Sequence, residues 1–457
     1  MMQLSQAAKI LGGTLIGPDV KFDAVSTDSR TIAPGDLFVA LQGERFDGCE
    51  FVAKAIEDGA AAALVNADSY KKSAALLAAN SPILAVEDTR LALGQLAAYW
   101  RKQFAIPLLG ITGSNGKTTV KEMLAAILRA HTGDADAVLA TQGNLNNDIG
   151  MPLTLLKLRA THRYAVIEMG MNHPGEIGYL TRLACPDVAL VNNAASAHLA
   201  GLGTVESVAR AKGEIFAGLA AQGVAVINAD DEFAPLWRAE AGGHRVIDFG
   251  LGAQAGVHAS WHAQGFGAYI DAITPQGAFA VGLQVPGAHN VRNALAATAA
   301  AIAVSIPLPA IAAGLKNFGG VAGRLQRKAA LHGAALIDDT YNANPASLLA
   351  ALKVLAQAPG KKILVLGDMG ELGADAPRLH AEIGAEARNL GIQKLLALGD
   401  LSAYAVDEFG AGATHFKRIE DLFACLEQYL DADSTVLVKG SRFMKMERVV
   451  QHCTALQ

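Results

Sequence analysis

The 457 residues are 51% hydrophobic and 18% charged, which is too long for one core and too apolar for extended disorder, so two or three globular domains are expected. A net charge of -5 offers a polyanion no global attraction; this excludes a nucleic-acid wrapper and leaves any anion site local. The four cysteines, Cys49, Cys185, Cys425 and Cys453, stand far apart with no C-x-x-C pair, giving neither a disulfide framework nor a zinc site and suiting a reducing compartment.

In chain order, the opening MMQLSQAAKILGG lacks a basic region followed by an apolar run, so no secretory signal is expected. A first small unit ends near PILAV at 82–86, and a helical connector over 89–104 follows. The central unit reads as strands at 107–112, 137–140, 164–169, 188–192 and 224–228 with helices between them, the pattern of a parallel sheet covered on both faces. Residues 257–285 alternate apolar and polar side chains around Gly and Pro, as antiparallel hairpins do. The stretch 294–315 is nearly free of polar side chains and mimics a membrane span. Pro307 and Pro309 break it, which predicts a buried helix, a turn and a second helix, with no membrane insertion. A third unit carries strands at 335–338, 362–366, 394–398 and 435–439, a second Rossmann-like sheet. The expected fold class is α/β in three domains, 1–84, 85–314 and 315–457.

The chemistry centres on Gly113-Ser114-Asn115-Gly116-Lys117-Thr118-Thr119. A usual P-loop, G-x-x-x-x-G-K-[ST], surrounds phosphates with backbone N–H groups and a helix N-terminus. Here the position five before Gly116 is Ile111, so the strict motif fails and Gly113 opens a shorter G-x-x-G-K-T-T loop. An apolar strand enters it and a plausible helix leaves it, which favours a nucleotide site over a glycine turn with an incidental lysine. Glu168 ends an apolar strand, where a carboxylate is costly unless it faces a cation or a cleft. His198 lies on the loop after the next strand and, taken alone, reads more simply as a surface residue. Lys212 sits on an amphipathic helix and, alone, reads as a solvated or paired lysine.

GSNGKTT, EMGMNHPGEI, the segment 193–198, GAHNVRNALAA (287–297), GRLQR (323–327) and DDTYNANPAS (338–347) together resemble the Mur ligases, cytoplasmic ATP-dependent amide-forming enzymes of peptidoglycan synthesis. The resemblance covers essentially the whole chain, and the shortened phosphate loop is the family's own. Segments 141–158, 365–373 and 436–447 are most similar to the member that adds D-alanyl-D-alanine to UDP-N-acetylmuramoyl-tripeptide. The D-N-P-R signature of the sister enzyme that adds the third amino acid is absent. Cys49 departs from the pattern, which would have His there.

The resemblance implies that Lys117 and the amides of Gly113 to Thr119 hold the β- and γ-phosphates of ATP. Thr118 and Glu168 would serve one magnesium ion and His198 a second, with Lys212 at the position the family carbamylates. A carbamate beside two cations is a better neighbour than an ammonium. Asn290 and Asn293 match positions near the adenine, although Asn also caps helices well. Arg324 and Asp339 resemble residues that meet the γ-phosphate and the ribose. Tyr341, Asn342 and Asn344 complete that loop, for which a structural turn at Asn344-Pro345 is the alternative. Ser29 and Arg30 resemble the uridine-diphosphate contacts, and Asn144, Asn146, Asn147 and Thr154 those that receive the sugar-peptide. The implied partners are the UDP-muramoyl-tripeptide and D-alanyl-D-alanine, bound by a cytoplasmic monomer whose third unit closes over ATP. The alternatives are a sister Mur ligase, a folylpolyglutamate-synthase-like ligase, or a P-loop module that holds nucleotide without chemistry.

Overall fold

A computed structural model describes residues 1–43, 46–73, 80–195 and 202–454. Three main sheets follow one another along the chain, as the restarting strand–helix alternation predicts. The first has five strands in the order Thr14–Ile16, Ile83–Val86, Ala62–Asn66, Asp36–Val39 and Ala24–Ser26, parallel except for the first pair. Helix Thr89–Arg101 then leads away, its first turn closed by the Asp88 carboxylate accepting from the amides of Arg90 and Leu91.

The central sheet has six parallel strands in the order Arg245–Phe249, Val224–Asn228, Val188–Val191, Leu108–Thr112, Tyr164–Glu168 and Val138–Ala140. Leu108–Thr112 is laid down first and its neighbours are added on both sides, so the chain reverses direction of growth beside it. Open α/β sheets take ligands at the carboxyl ends of strands at such a reversal. The hairpins expected over 257–285 are three antiparallel strands, His258–Gln264, Gly267–Thr274 and Gly277–Leu283.

The alanine-rich stretch is two helices, Ala288–Ala303 and Leu308–Asn317, turning at Ser305, where φ is +62°, just before Pro307. Its small residues permit close packing. A Cβ added at Gly314 would stand 2.3 Å from Ile127 Cα, so the helix that follows the phosphate loop lies directly against this one. Among the described residues no helix is long and apolar enough to cross a membrane.

The last sheet has six strands in the order Gln326–Ala329, Ala335–Asp339, Ser434–Lys439, Lys361–Gly367, Lys394–Leu398 and Ala413–Phe416; only the first is antiparallel to its neighbour. The limits expected at 84/85 and 314/315 cut strand Ile83–Val86 and helix Leu308–Asn317, so we place the joints in the connectors that follow them.

Candidate active site

The buried strand Leu108–Thr112 hands the chain to the loop 113–116 and then to helix Lys117–Thr132. Gly116 has φ +80°, and a Cβ there would lie 2.5 Å from both Asn192 Nδ2 and Asn293 Oδ1, so glycine is required by backbone angle and by space. The loop is held from outside. Asn193 Oδ1 accepts from the Asn115 amide at 2.8 Å, and the side-chain amides of Asn192 and Asn193 donate to the Asn115 carbonyl at 2.9 and 3.1 Å. Asn192 also donates to Asn293 Oδ1 at 3.0 Å, Asn293 to Asn290 Oδ1 at 3.2 Å, and Asn290 to the Pro286 carbonyl at 2.8 Å. Asn290 and Asn293 thus tie the alanine-rich helix to the phosphate loop and do not cap that helix.

Lys117 Nζ donates to the Gly113 carbonyl at 2.6 Å and the Ser114 carbonyl at 3.4 Å. Burial draws its pKa down; Glu168 opposes the shift and the Arg324 guanidinium adds to it. Next to it, Thr118 Oγ1 donates to Glu168 Oε2 at 2.9 Å, and Asn146 Nδ2 donates to Oε1 at 2.8 Å. Glu168 is 2% exposed, so this carboxylate is held ready by neutral donors in a place where a cation would be welcome. A hydroxyl and a carboxylate beside a phosphate loop are the hard oxygen donors magnesium takes, with substrate phosphates and water supplying the rest.

The third unit reaches the same point. Arg324 Nη2 donates to Thr118 Oγ1 at 3.0 Å, and its guanidinium lies 4.3 Å from the centre of the Tyr341 ring. Its Nε is buried and, among the described residues, has no hydrogen-bond partner. Asn344 Nδ2 donates to Asn115 Oδ1 at 2.7 Å, joining the third unit to the loop itself. Asp339 Oδ2 accepts from the buried Lys439 Nζ at 2.6 Å, and Oδ1 accepts from the Leu325 amide at 3.2 Å. Burial pushes the Asp339 carboxyl up, with Lys439 working against it. Lys439 also donates to the Asn342 carbonyl at 2.9 Å. The central and third units line one cleft of about 1300 Å³, from Asp88 and Arg90, just past the joint with the first unit, through the phosphate loop to Ser441 and Phe443.

Residues 21–101 match the Mur ligase family catalytic domain, 111–301 the Mur ligase middle domain, and 323–442 the Mur ligase glutamate ligase domain. The UDP-N-acetylmuramoyl-tripeptide–D-alanyl-D-alanine ligase of Escherichia coli is 44% identical over 98% of this chain and 97% of its own. The chain belongs to the Mur ligase family. Among solved structures, MurF from Acinetobacter baumannii superposes with a TM-score of 0.90 at 38% identity, over 98% of this chain and 97% of that one. MurF from Thermotoga maritima, solved with ADP, has a TM-score of 0.80 at 26% identity over 94% and 96%.

The structure gathers Lys117, Glu168, Arg324, Asp339, Tyr341, Asn342, Asn344, Asn290, Asn293, Asn146 and Asn147 around the cleft of this Mur ligase, with Thr118 bonded to Glu168 and Arg324 behind its lining. It does not gather all of the expected residues. Ser29, Arg30, Asn144 and Thr154 do not line that cleft. Arg30 is exposed and clasped by Asp28 of its own turn, at 2.8 and 2.6 Å. Thr154 is corrected: it is 2% exposed and its hydroxyl donates to the Gly150 carbonyl at 2.9 Å, so it belongs to a helix interior and not to a substrate surface. His198 lies outside the described residues. Lys212 is 1% exposed on helix Val205–Gly213, and among the described residues no hydrogen bond or ion pair engages its amine. Burial, with help from Lys117, holds its pKa well below the usual lysine value. Sequence reasoning missed Lys439 and the roles of Asn192 and Asn193. A lysine ending the buried run VLVK, and two asparagines ending the buried run VALV, were the available signals.

Proposed function

We propose that this Mur ligase joins D-alanyl-D-alanine to UDP-N-acetylmuramoyl-tripeptide with hydrolysis of ATP to ADP and phosphate, completing the cytoplasmic UDP-muramoyl-pentapeptide. The observation that carries the reading is the meeting of Arg324, from the third unit, with Thr118, Lys117 and Glu168, from the central one. The near-complete match to the E. coli ligase supports the choice of substrates.

A carboxylate is a poor electrophile, so the tripeptide's terminal carboxylate takes the γ-phosphoryl group first, and the free amine of D-alanyl-D-alanine then attacks the acyl phosphate, releasing phosphate. Lys117, released from the Gly113 and Ser114 carbonyls, spreads the charge that grows on the transferring group. The Arg324 guanidinium, which reaches Thr118 from the third unit, stabilises the same charge from the opposite wall. Asp339, with Tyr341, Asn342 and Asn344, holds the nucleotide, while Asn290 and Asn293 set the wall beside the loop. Magnesium, held by Thr118 and Glu168, would neutralise phosphate oxygens. A second ion would need His198 and Lys212; burial and Lys117 lower the pKa of that amine, which favours the neutral form that adds carbon dioxide and loses a proton to become a carbamate. Asn146 and Asn147 face the sugar-peptide from the cleft, and Ser29 and Arg30 meet the uridine diphosphate if Arg30 trades Asp28 for it. The protein acts as a monomer, its third unit docked over ATP.

The test is incubation of the purified protein with ATP, UDP-muramoyl-tripeptide and a panel of amines. Phosphate release is expected with D-alanyl-D-alanine, and tripeptide labelled with heavy oxygen in its carboxylate should pass one label into phosphate. Release with a single amino acid and a dipeptide precursor, or with a folate, would assign the sister ligase or the folate enzyme instead. Binding of ATP without release would leave a nucleotide-holding module.

A further inference from the structure

Lys121 is the one buried side chain of the phosphate-loop helix whose charge the reaction above does not use. It is 1% exposed, as is Thr141, the residue it touches. Burying an ammonium is costly where an aliphatic chain would pack as well, so its contacts should repay the cost structurally. Lys121 Nζ donates to the Thr141 carbonyl at 2.6 Å and lies 2.6 Å from Glu122 Oε1. Thr141 in turn uses its hydroxyl to accept the backbone amide of Glu168 at 2.9 Å, and donates its own amide to the Val166 carbonyl at 3.0 Å.

The contacts close a ring. Thr118 and Lys121 stand one turn apart on a single helix. From there Thr118 reaches the Glu168 carboxylate directly, at 2.9 Å, while Lys121 reaches the Glu168 backbone through Thr141. The loop that Thr141 opens returns Asn146 to the other carboxylate oxygen at 2.8 Å. Glu168 is therefore fixed at its main chain and at both of its oxygens by groups that lead back to the helix or to Thr141. We propose that Lys121 and Thr141 are positioning residues for metal binding: they hold Glu168 at the register in which it and Thr118 can share one divalent cation. The inference rests on the reading of Glu168 as the magnesium carboxylate.

Supporting groups behind a metal ligand commonly change metal affinity by on the order of ten- to a hundredfold when removed. Calorimetry of ADP binding with and without magnesium reads this without turnover. Wild type should bind ADP more tightly when magnesium is present. Thr141→Val, which keeps the shape and loses the hydroxyl, should raise the magnesium concentration that half-saturates this gain by on the order of tenfold. Lys121→Met should do the same, and Thr141→Ser, which keeps the hydroxyl, should match wild type. If Lys121→Met does not fold, Thr141→Val decides. A Thr141→Val protein that melts earlier yet keeps the wild-type magnesium dependence overturns the proposal, since the residue would then be merely structural. Glu168→Gln separates the two readings: loss of the magnesium gain there, with retention in Thr141→Val, sinks only the positioning role, whereas retention in Glu168→Gln sinks the assignment of Glu168 itself.

Discussion

The central and C-terminal sheets both have six strands and both present functional groups at the carboxyl ends of parallel strands, yet they prepare those groups differently. At the central edge the groups are locked to one another: Lys117 to its own loop carbonyls, Thr118 to Glu168, the Asn115 carbonyl to Asn192 and Asn193. At the C-terminal edge Asp339 and Lys439 pair privately, and the unit reaches across through Arg324 and Asn344. One edge is a prebuilt cradle; the other is a clamp with two prongs. The difference predicts that damage to the cradle removes function, whereas damage to the clamp grades it. Lys117→Ala should lower turnover by about a thousandfold with the fold intact, read as phosphate release alongside a circular-dichroism melt. Near-normal turnover would overturn the catalytic assignment.

Arg324→Ala should cost on the order of a hundredfold in kcat, because the Thr118 hydroxyl and the central cradle survive its loss. Lys at that position should recover little: an ammonium has neither the planar fork nor the face that covers Tyr341. Rapid-quench measurement of the first turnover would place the loss in phosphoryl transfer; a loss confined to product release would contradict the clamp.

The cradle was far more legible in the sequence than the clamp. A buried apolar strand, two glycines and a lysine at fixed offsets announce a phosphate loop, because each residue type answers a local demand of backbone angle or charge. The contacts of Arg324 and Asn344 with Thr118 and Asn115 join residues about two hundred positions apart, and no local pattern encodes them. Edge strands were similarly hidden. Gln326–Ala329 reads QRKA and Arg245–Phe249 reads RVIDF, with polar side chains that an edge tolerates and that mask the strand pattern. Thr154 failed for a different reason: likeness to a family locates a residue in the chain, but only packing shows that its hydroxyl is already spent on Gly150.

Between the two edges lies His289, which sharpens the comparison through pH. Burial, together with Lys439 from the clamp and Arg292 from the cradle side, lowers its pKa from the ordinary 6.5 to about 4. The unfolded chain therefore binds more protons than the folded one between these values, so stability rises with pH across that window. The contribution is complete above about 6.5, falls away as pH drops toward 4, and changes no further below it. Chemical denaturation between pH 7 and 4 should show that decline, and His289→Gln should flatten it. An undiminished slope in the variant would show that other groups carry the acid sensitivity.

The smallest expected effect separates the second prong from the helix it begins. Asn344 caps helix Pro345–Ala356, accepting from the Ser347 amide while Ser347 Oγ accepts from the Asn344 amide, and it also donates to Asn115. Asn344→Ala removes both roles and should cost about 1 kcal/mol of stability, the usual worth of an N-cap. Asn344→Ser keeps a good cap but is too short to reach Asn115, so stability should return while KM for ATP stays raised by roughly the few-fold expected of one neutral hydrogen bond. Comparing the two by denaturant midpoint and by KM for ATP isolates the cross-unit contact. If Asn344→Ser restores both stability and KM, the prong is only a cap, and Arg324 alone carries the clamp.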